Sequence, residues 1–320
     1  VAIHVLILTV FIKVFLASYQ KIRIPYNFLC LSICLFYLWM ALSIAWSPAP
    51  SISLHMFVWL SIFPLCYLIY SLKQPDDWSY LPIGILCITL IFALIGISQE
   101  FITKSIPSSF FLEKNTYAGM LNLTAQPTAA WFIIYSKKRR KHLSILLGAA
   151  LFILFFAIFQ TASRGATISL LVGLFFIALI SLKYIEKSLL IRVFIILIVA
   201  FLFADFETVT KGHNVKKRLN ELDVGENFFD ARIETWKPAW RIIKTTPIIG
   251  MGIGTFFIVF PAVRHPTDGS SGNFLHNDYL QFWLETGLIG LGLMMLIMVA
   301  IIIFFLRIFR YKNLTLQNRL

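Results

Sequence analysis

Nine stretches of this chain are apolar over roughly 17 residues or more, the length an α-helix needs to cross the hydrocarbon core of a bilayer. They lie at about residues 1–18, 26–46, 53–71, 79–98, 116–136, 143–160, 166–182, 189–205 and 278–306. Backbone polar groups in lipid must satisfy one another, so such stretches form helices. The alternation that marks a membrane barrel is absent from them. Only 13% of the residues are charged, against about 25% in an ordinary soluble domain. The expected fold is therefore all-α, a polytopic integral membrane protein with about nine spanning helices. Val1 already lies inside the first block, which points to a non-Met start or a missing upstream helix. That block has no small-residue cleavage site of the kind that ends a signal peptide.

The net charge of +13 is one footprint of nucleic-acid binding, but its distribution favours membrane topology instead. Lys137, Lys138, Arg139, Arg140 and Lys141 fall between the fifth and sixth blocks, and basic loops stay in the cytoplasm. Alternation from there puts Lys21 and Arg23, Lys73, Lys183, Lys187 and Arg192, and Arg307, Arg310 and Lys312 on the same side. The opposite loops near 47–52 and 99–115 carry no net charge. Three segments follow: a bundle of eight helices over 1–205, a long outer loop over 206–277, and a last helix with a basic tail over 278–320. A loop of that length in a compact protein is usually functional or disordered. This one has helical and aromatic patterning, so it is expected to be partly helical. Cys30, Cys34, Cys66 and Cys87 all lie inside apolar blocks and read as small buried hydrophobes, with no metal-binding or disulfide spacing.

The chemistry-bearing residues gather on the outer side. Arg164 stands in the short turn Thr161-Ala162-Ser163-Arg164-Gly165-Ala166 between blocks six and seven. A cation there runs against the topological bias and calls for a polar cavity, a partner, or escape to the headgroups. In the long loop, Phe229, Ile233, Trp236, Trp240 and Ile243 recur at helical spacing. This predicts an amphipathic helix, with Asp230 near its start as a cap and an aromatic face suited to a membrane surface. Arg232 falls beside that stripe, whereas Arg241 points away from it unless Pro238 kinks the helix. Gly250, Gly252 and Gly254 then alternate through a turn that could approach a phosphate closely.

His276-Asn277-Asp278-Tyr279-Leu280-Gln281 opens the last block. Asn277 or Asp278 should cap that helix, leaving His276 beside a helix N-terminus that favours anions. Asp278, Gln281 and Glu285, spaced three and four apart, form a polar stripe running into the membrane. Glu285 there needs a partner or a water-filled cavity. Gly287, Gly290 and Gly292 suit close helix packing.

In these residues the chain resembles the O-antigen ligase and polymerase superfamily, bacterial membrane glycosyltransferases that use polyprenyl-diphosphate-linked glycans. Asn115 to Gly119 resembles the family's N-T-x-A-G, and Thr161 to Ala166 its S-R-G-A turn. Arg232 to Phe256 resembles R-x-x-x-W followed by P-x-x-G-x-G-x-G-x-F. His276 to Gly290 resembles H-N-x-x-L-Q-x-x-x-E-x-G-x-x-G, the most specific of the four. The likeness spans about residues 110–300, and members typically have more spanning helices than nine.

The resemblance implies a glycan donor on undecaprenyl diphosphate and an active site at the periplasmic face of the inner membrane. It implies His276 as the base on the acceptor hydroxyl, and Arg164, Arg232 and Arg241 as diphosphate-binding residues. Asn277, Asp278, Gln281, Glu285, Gly252 and Gly254 would support the site. One direct displacement inverts the anomeric centre, and neither metal nor cofactor is expected. The leading expectation is an O-antigen ligase acting on lipid A–core. An O-antigen polymerase or a protein O-oligosaccharyltransferase would use the same donor chemistry. An anion transporter is the reading from a different class, but the inverted repeats it usually shows are missing.

Overall fold

The computed structural model describes residues 27–72, 80–103, 107–111, 113–182, 187–210, 225–264 and 274–310. All regular elements among them are helices: α1 (Phe28–Ser43), α2 (Pro50–Leu60), α3 (Ile62–Leu72), α4 (Leu81–Thr103), α5 (Lys114–Lys137), α6 (Lys141–Gln160) and α7 (Arg164–Ser181), then α8 (Lys187–Thr210), α9 (Gly225–Thr245), the single turn α10 (Phe256–Val259) and α11 (Asp278–Arg310). Short 3₁₀ turns follow α1, at Ile44–Trp46, and α10, at Phe260–Ala262. Seven helices among the described residues are long and apolar enough to cross a membrane. The first predicted block, at 1–18, lies outside the described residues.

The fifth block forms a helix of full spanning length, α5, but falls short of the seven in hydropathy. Its composition explains why. Tyr117, Ala118, Leu121, Asn122, Thr124, Ala125, Thr128 and Ala129 are all buried, because α5 packs on α4, α6, α7 and α8. Small and polar residues suit a helix enclosed by other helices, where side-chain hydrogen bonds replace contact with lipid. Thr124 Oγ1 meets Thr89 Oγ1 at 3.1 Å, Asn122 Nδ2 donates to the Ala166 carbonyl at 3.0 Å, and Tyr117 Oη donates to the Phe92 carbonyl at 3.2 Å. These five helices make one compact unit.

The second unit combines α1, α2 and α3 with the chain from α9 onward. The third predicted block is split at Ser61 into α2 and α3. Pro64 has no N–H to give the carbonyl four residues back, and its ring crowds that carbonyl. The Leu60 oxygen accepts instead from Tyr37 Oη on α1, at 2.6 Å. In α9 the buried Ala239, Ile242 and Ile243 pack on Phe256, Phe260, Leu275 and Leu284. The predicted stripe thus divides: Ile243 and part of Trp236 face this core, while Ile233 and Trp240 are exposed. The helix begins at Gly225, so Asp230 lies inside it rather than capping it. The cysteine expectation is also corrected. Cys30 is buried, but Cys34, Cys66 and Cys87 are exposed, since an apolar residue on a spanning helix can face lipid as readily as a neighbour.

The last predicted helix is broken. Gly287 inside α11 has φ 68° and ψ −175°, a conformation essentially reserved for glycine. A Cβ there would collide with the Ile248 carbonyl. Gly290 does meet the expectation of close packing, since a Cβ would lie 3.2 Å from Trp39 of α1. Gly292 does not, because nothing stands within 4 Å. The two glycines therefore separate in mutation. Gly287→Ala should lower the thermal midpoint of the purified protein by about 5 °C or more, through roughly 1–3 kcal/mol of backbone strain plus the clash. Gly292→Ala should leave it unchanged or raise it slightly, as Ala is the better helix former by about 1 kcal/mol.

Candidate functional site

The break at Gly287 leaves backbone groups without helical partners at membrane depth, where each must be satisfied by protein. The segment Pro247 to Phe256 supplies those partners. Met251 N donates to the Leu284 carbonyl at 2.9 Å and Gly252 N to the Glu285 carbonyl at 2.7 Å. In return, Leu288 N donates to the Pro247 carbonyl at 2.9 Å and Ile289 N to the Ile248 carbonyl at 3.3 Å. Trp39 Nε1 of α1 donates to the Thr286 carbonyl at 2.8 Å. Gly250 can lie this close only without a side chain: its φ is +72°, and a Cβ would sit 2.6 Å from the Glu285 carbonyl.

Glu285 locks this junction. It is 5% exposed, and its carboxylate accepts from Gly254 N at 2.7 Å, Gln281 Nε2 at 3.2 Å and Phe256 N at 3.4 Å. The partner demanded by a carboxylate in a spanning helix is thus a set of amide donors. Hydrogen bonds to a charged group are worth roughly 1.5–3 kcal/mol each. Ile253 N donates to Ser43 Oγ of α1 at 3.2 Å, and Gly250 N to the Thr246 carbonyl at 3.0 Å. The N–H groups of residues 250–254 are therefore all engaged within the protein. The glycine turn serves as a strap across the broken helix, and those donors are not directed at a phosphate.

His276 stands at the entrance to α11. Asn277 caps the helix, its Oδ1 accepting from Leu280 N at 3.2 Å, as the sequence led us to expect. Asp278 is the first helical residue and is exposed. His276 is also exposed, with φ 55°, a left-handed backbone uncommon outside glycine. The residue before it is held on both sides. Leu275 is fully buried; its N–H donates to Gln281 Oε1 at 3.1 Å, and its carbonyl accepts from Trp236 Nε1 of α9 at 3.1 Å. His276 is thus an exposed imidazole that follows a residue anchored at both its N–H and its carbonyl.

Arg232 lies in α9 four residues before Trp236, and its side chain falls outside the described residues, as do those of Phe229 and Asp230. Arg241 is on the same helix, exposed, beyond Pro238. Trp240 and Trp283 meet edge to face with centroids 5.2 Å apart, and Trp283 Nε1 donates to the Pro247 carbonyl at 3.0 Å. Sequence reasoning missed the two indole donors, Trp236 and Trp283. Their signal was an interfacial tryptophan, which usually finds a hydrogen-bond partner when buried.

Within the five-helix unit, Arg164 is the first residue of α7 and half-buried. The turn before it is built from small polar groups. Thr161 Oγ1 donates to the Ile158 carbonyl at 2.7 Å and accepts from Ser163 N at 3.2 Å, while Ala162 takes φ 49°. Ser163 Oγ donates to Asn115 Oδ1 at 2.8 Å, tying the turn to the Asn115-Thr116-Tyr117 run at the start of α5.

The clamp on Leu275 is directly testable. Trp236→Phe keeps an aromatic side chain, smaller than the indole, and removes the N–H, leaving a buried carbonyl unpaired at about 1–3 kcal/mol. Amide hydrogen exchange at Leu275 should accelerate about tenfold or more, whereas exchange in α6 should not change.

The motifs described above fall largely within a single known domain. A family model described as O-Antigen ligase matches residues 149–295. The match takes in the Arg164 turn, α9, the glycine strap and the opening of α11, while the Asn115 run lies before it. No curated protein and no solved structure matches the chain. The family implies an enzyme of glycosyltransferase or ligase type that joins a lipid-linked glycan to a glycan acceptor. Through residues 149–295, a little under half of its length, this protein is similar to the O-antigen ligase family.

Proposed function

We propose that the protein is an inverting, metal-independent glycosyltransferase. In this reading it moves a glycan from undecaprenyl diphosphate to an acceptor hydroxyl at the periplasmic face of the bacterial inner membrane. The acceptor is lipid A–core, which makes the protein an O-antigen ligase. The observation that carries the reading is His276, exposed on a turn fixed by Trp236 and Gln281 inside the matched family segment.

His276 accepts the proton of the acceptor hydroxyl as its oxygen attacks the anomeric carbon of the donor sugar. The bond from that carbon to the diphosphate oxygen breaks, and undecaprenyl diphosphate departs with the electron pair. Arg164, Arg232 and Arg241 serve the diphosphate as charge-assisted donors, and guanidinium groups can do so in bidentate fashion. Donors fixed in advance act most strongly where charge develops, on the leaving oxygen. The hydrogen-bonded turn under Arg164 supports that role, because it fixes the backbone from which the guanidinium extends.

His276→Ala should reduce transfer by about 100-fold or more, the usual contribution of a positioned base, with membrane insertion intact. Full activity in that variant would remove the base assignment. A deletion strain should show free core on a lipopolysaccharide gel, with polymer retained on its carrier. Core bearing a single repeat would instead make the protein a polymerase. Chelation with EDTA should leave the transfer rate unchanged, and loss restored by a divalent cation would contradict a metal-independent reaction.

A further inference from the structure

We propose that Glu285 is a positioning residue that acts on His276 through Gln281, along a hydrogen-bond relay with a fixed polarity. The inference rests on the assignment of His276 as the base. Its geometry begins at Leu275, whose backbone N–H can only donate. Gln281 must therefore turn its oxygen toward Leu275, at 3.1 Å, which leaves its NH₂ group facing Glu285, at 3.2 Å. Glu285 Oε1 must then accept. Oε2 must accept as well, because it faces the N–H of Gly254 at 2.7 Å. Only an acceptor at both oxygens satisfies the site, which a carboxylate provides and an amide does not.

The relay ends one residue from the imidazole. Leu275 is fully buried and its carbonyl is held by Trp236, so its peptide planes have little freedom. His276 follows in a left-handed conformation, φ 55°, which any slackening of Leu275 would allow to relax. Glu285 itself is buried and takes no part in the chemistry. Its effect reaches the reaction as the placement of His276, and misplacement of a reacting group by about 1 Å costs on the order of 100-fold in rate.

The polarity makes the proposal testable by exchange of the two side chains. In Gln281→Glu, two carboxylate oxygens meet where an amide met a carboxylate. In Glu285→Gln, an NH₂ group must face either Gly254 N–H or Gln281 NH₂, donor against donor. The double variant Gln281→Glu/Glu285→Gln restores the order. Its residue 281 carboxylate accepts from Leu275 N–H and from the new amide at 285, whose oxygen accepts from Gly254 N–H. Only the long Phe256 contact, at 3.4 Å, is lost.

The experiment uses the purified full chain with an undecaprenyl-diphosphate glycan and lipid A–core, and compares these variants with His276→Ala. In parallel, the rate of diethylpyrocarbonate modification at His276 is followed by mass spectrometry. Each single variant should lower kcat by about 100-fold, with donor KM within about threefold, and should change the modification rate at His276. The double variant should recover kcat to within about tenfold of the original and restore the modification rate. Two single variants that keep both kcat and modification rate, while His276→Ala is inactive, overturn the relay and leave the base assignment standing. A double variant no better than the singles also overturns it, since loss of packing alone is not repaired by exchange. An active His276→Ala overturns the base assignment, and the modification rates then decide the relay on their own.

Discussion

A carboxylate inside a membrane-spanning helix has to be surrounded by hydrogen-bond donors, because neither lipid nor an apolar helix face can supply them. In this protein the donors at Glu285 come from Gly254, Phe256 and Gln281. The same carboxylate therefore fixes three things at once: the glycine strap, the broken stretch of α11, and the side chain that holds the turn before His276. A helix interrupted at membrane depth is tolerated only where protein takes up the freed backbone groups. Here the strap does so with paired bonds on either side of Gly287. The interruption and the buried acid are parts of one solution, and neither would be stable without the other.

The arrangement separates the proposed base from the residues that support it. His276 is exposed and carries no structural bond of its own among those described, while Leu275 beside it is buried and tied at both its N–H and its carbonyl. The N–H groups of residues 250–254 are likewise used up internally, while Ser43 of α1 bonds Ile253 and Trp39 bonds the Thr286 carbonyl of α11. The first helix of this unit therefore supports the strap and the broken stretch of α11 through hydrogen bonds. In the five-helix unit, Asn115 and Ser163 brace the turn that leads into Arg164 in a comparable way. In both units the candidate site residue stands on a backbone fixed by polar groups just behind it.

Much of this was legible from the residues because it depends on local rules. The length of the apolar blocks located the spanning helices, Asn277 announced the start of α11 through its capping preference, and the isolated Glu285 demanded a partner. What could not be read is which groups answer that demand, since Gly254 lies 31 residues away and helical periodicity names a face but not its neighbour. Glycine spacing at 250, 252 and 254 fits a phosphate cradle and a helix strap equally well, and only the destination of the N–H groups distinguishes them. Gly287 read as a packing residue because its positive φ leaves no trace in composition. The burial of α5 and the exposure of Cys34, Cys66 and Cys87 share one cause: hydropathy reports compatibility with lipid, whereas the fold decides which helix actually meets it.

One carboxylate thus couples the strap to the turn before His276. Amide hydrogen exchange on the intact protein and on Glu285→Leu, which fills the volume and removes the acceptor, measures that coupling. Gly254 and Leu275 should lose protection together, although one bonds Glu285 Oε2 directly and the other is linked to Oε1 through Gln281. Protection retained at both, or lost at Gly254 alone with Leu275 unchanged, would contradict it.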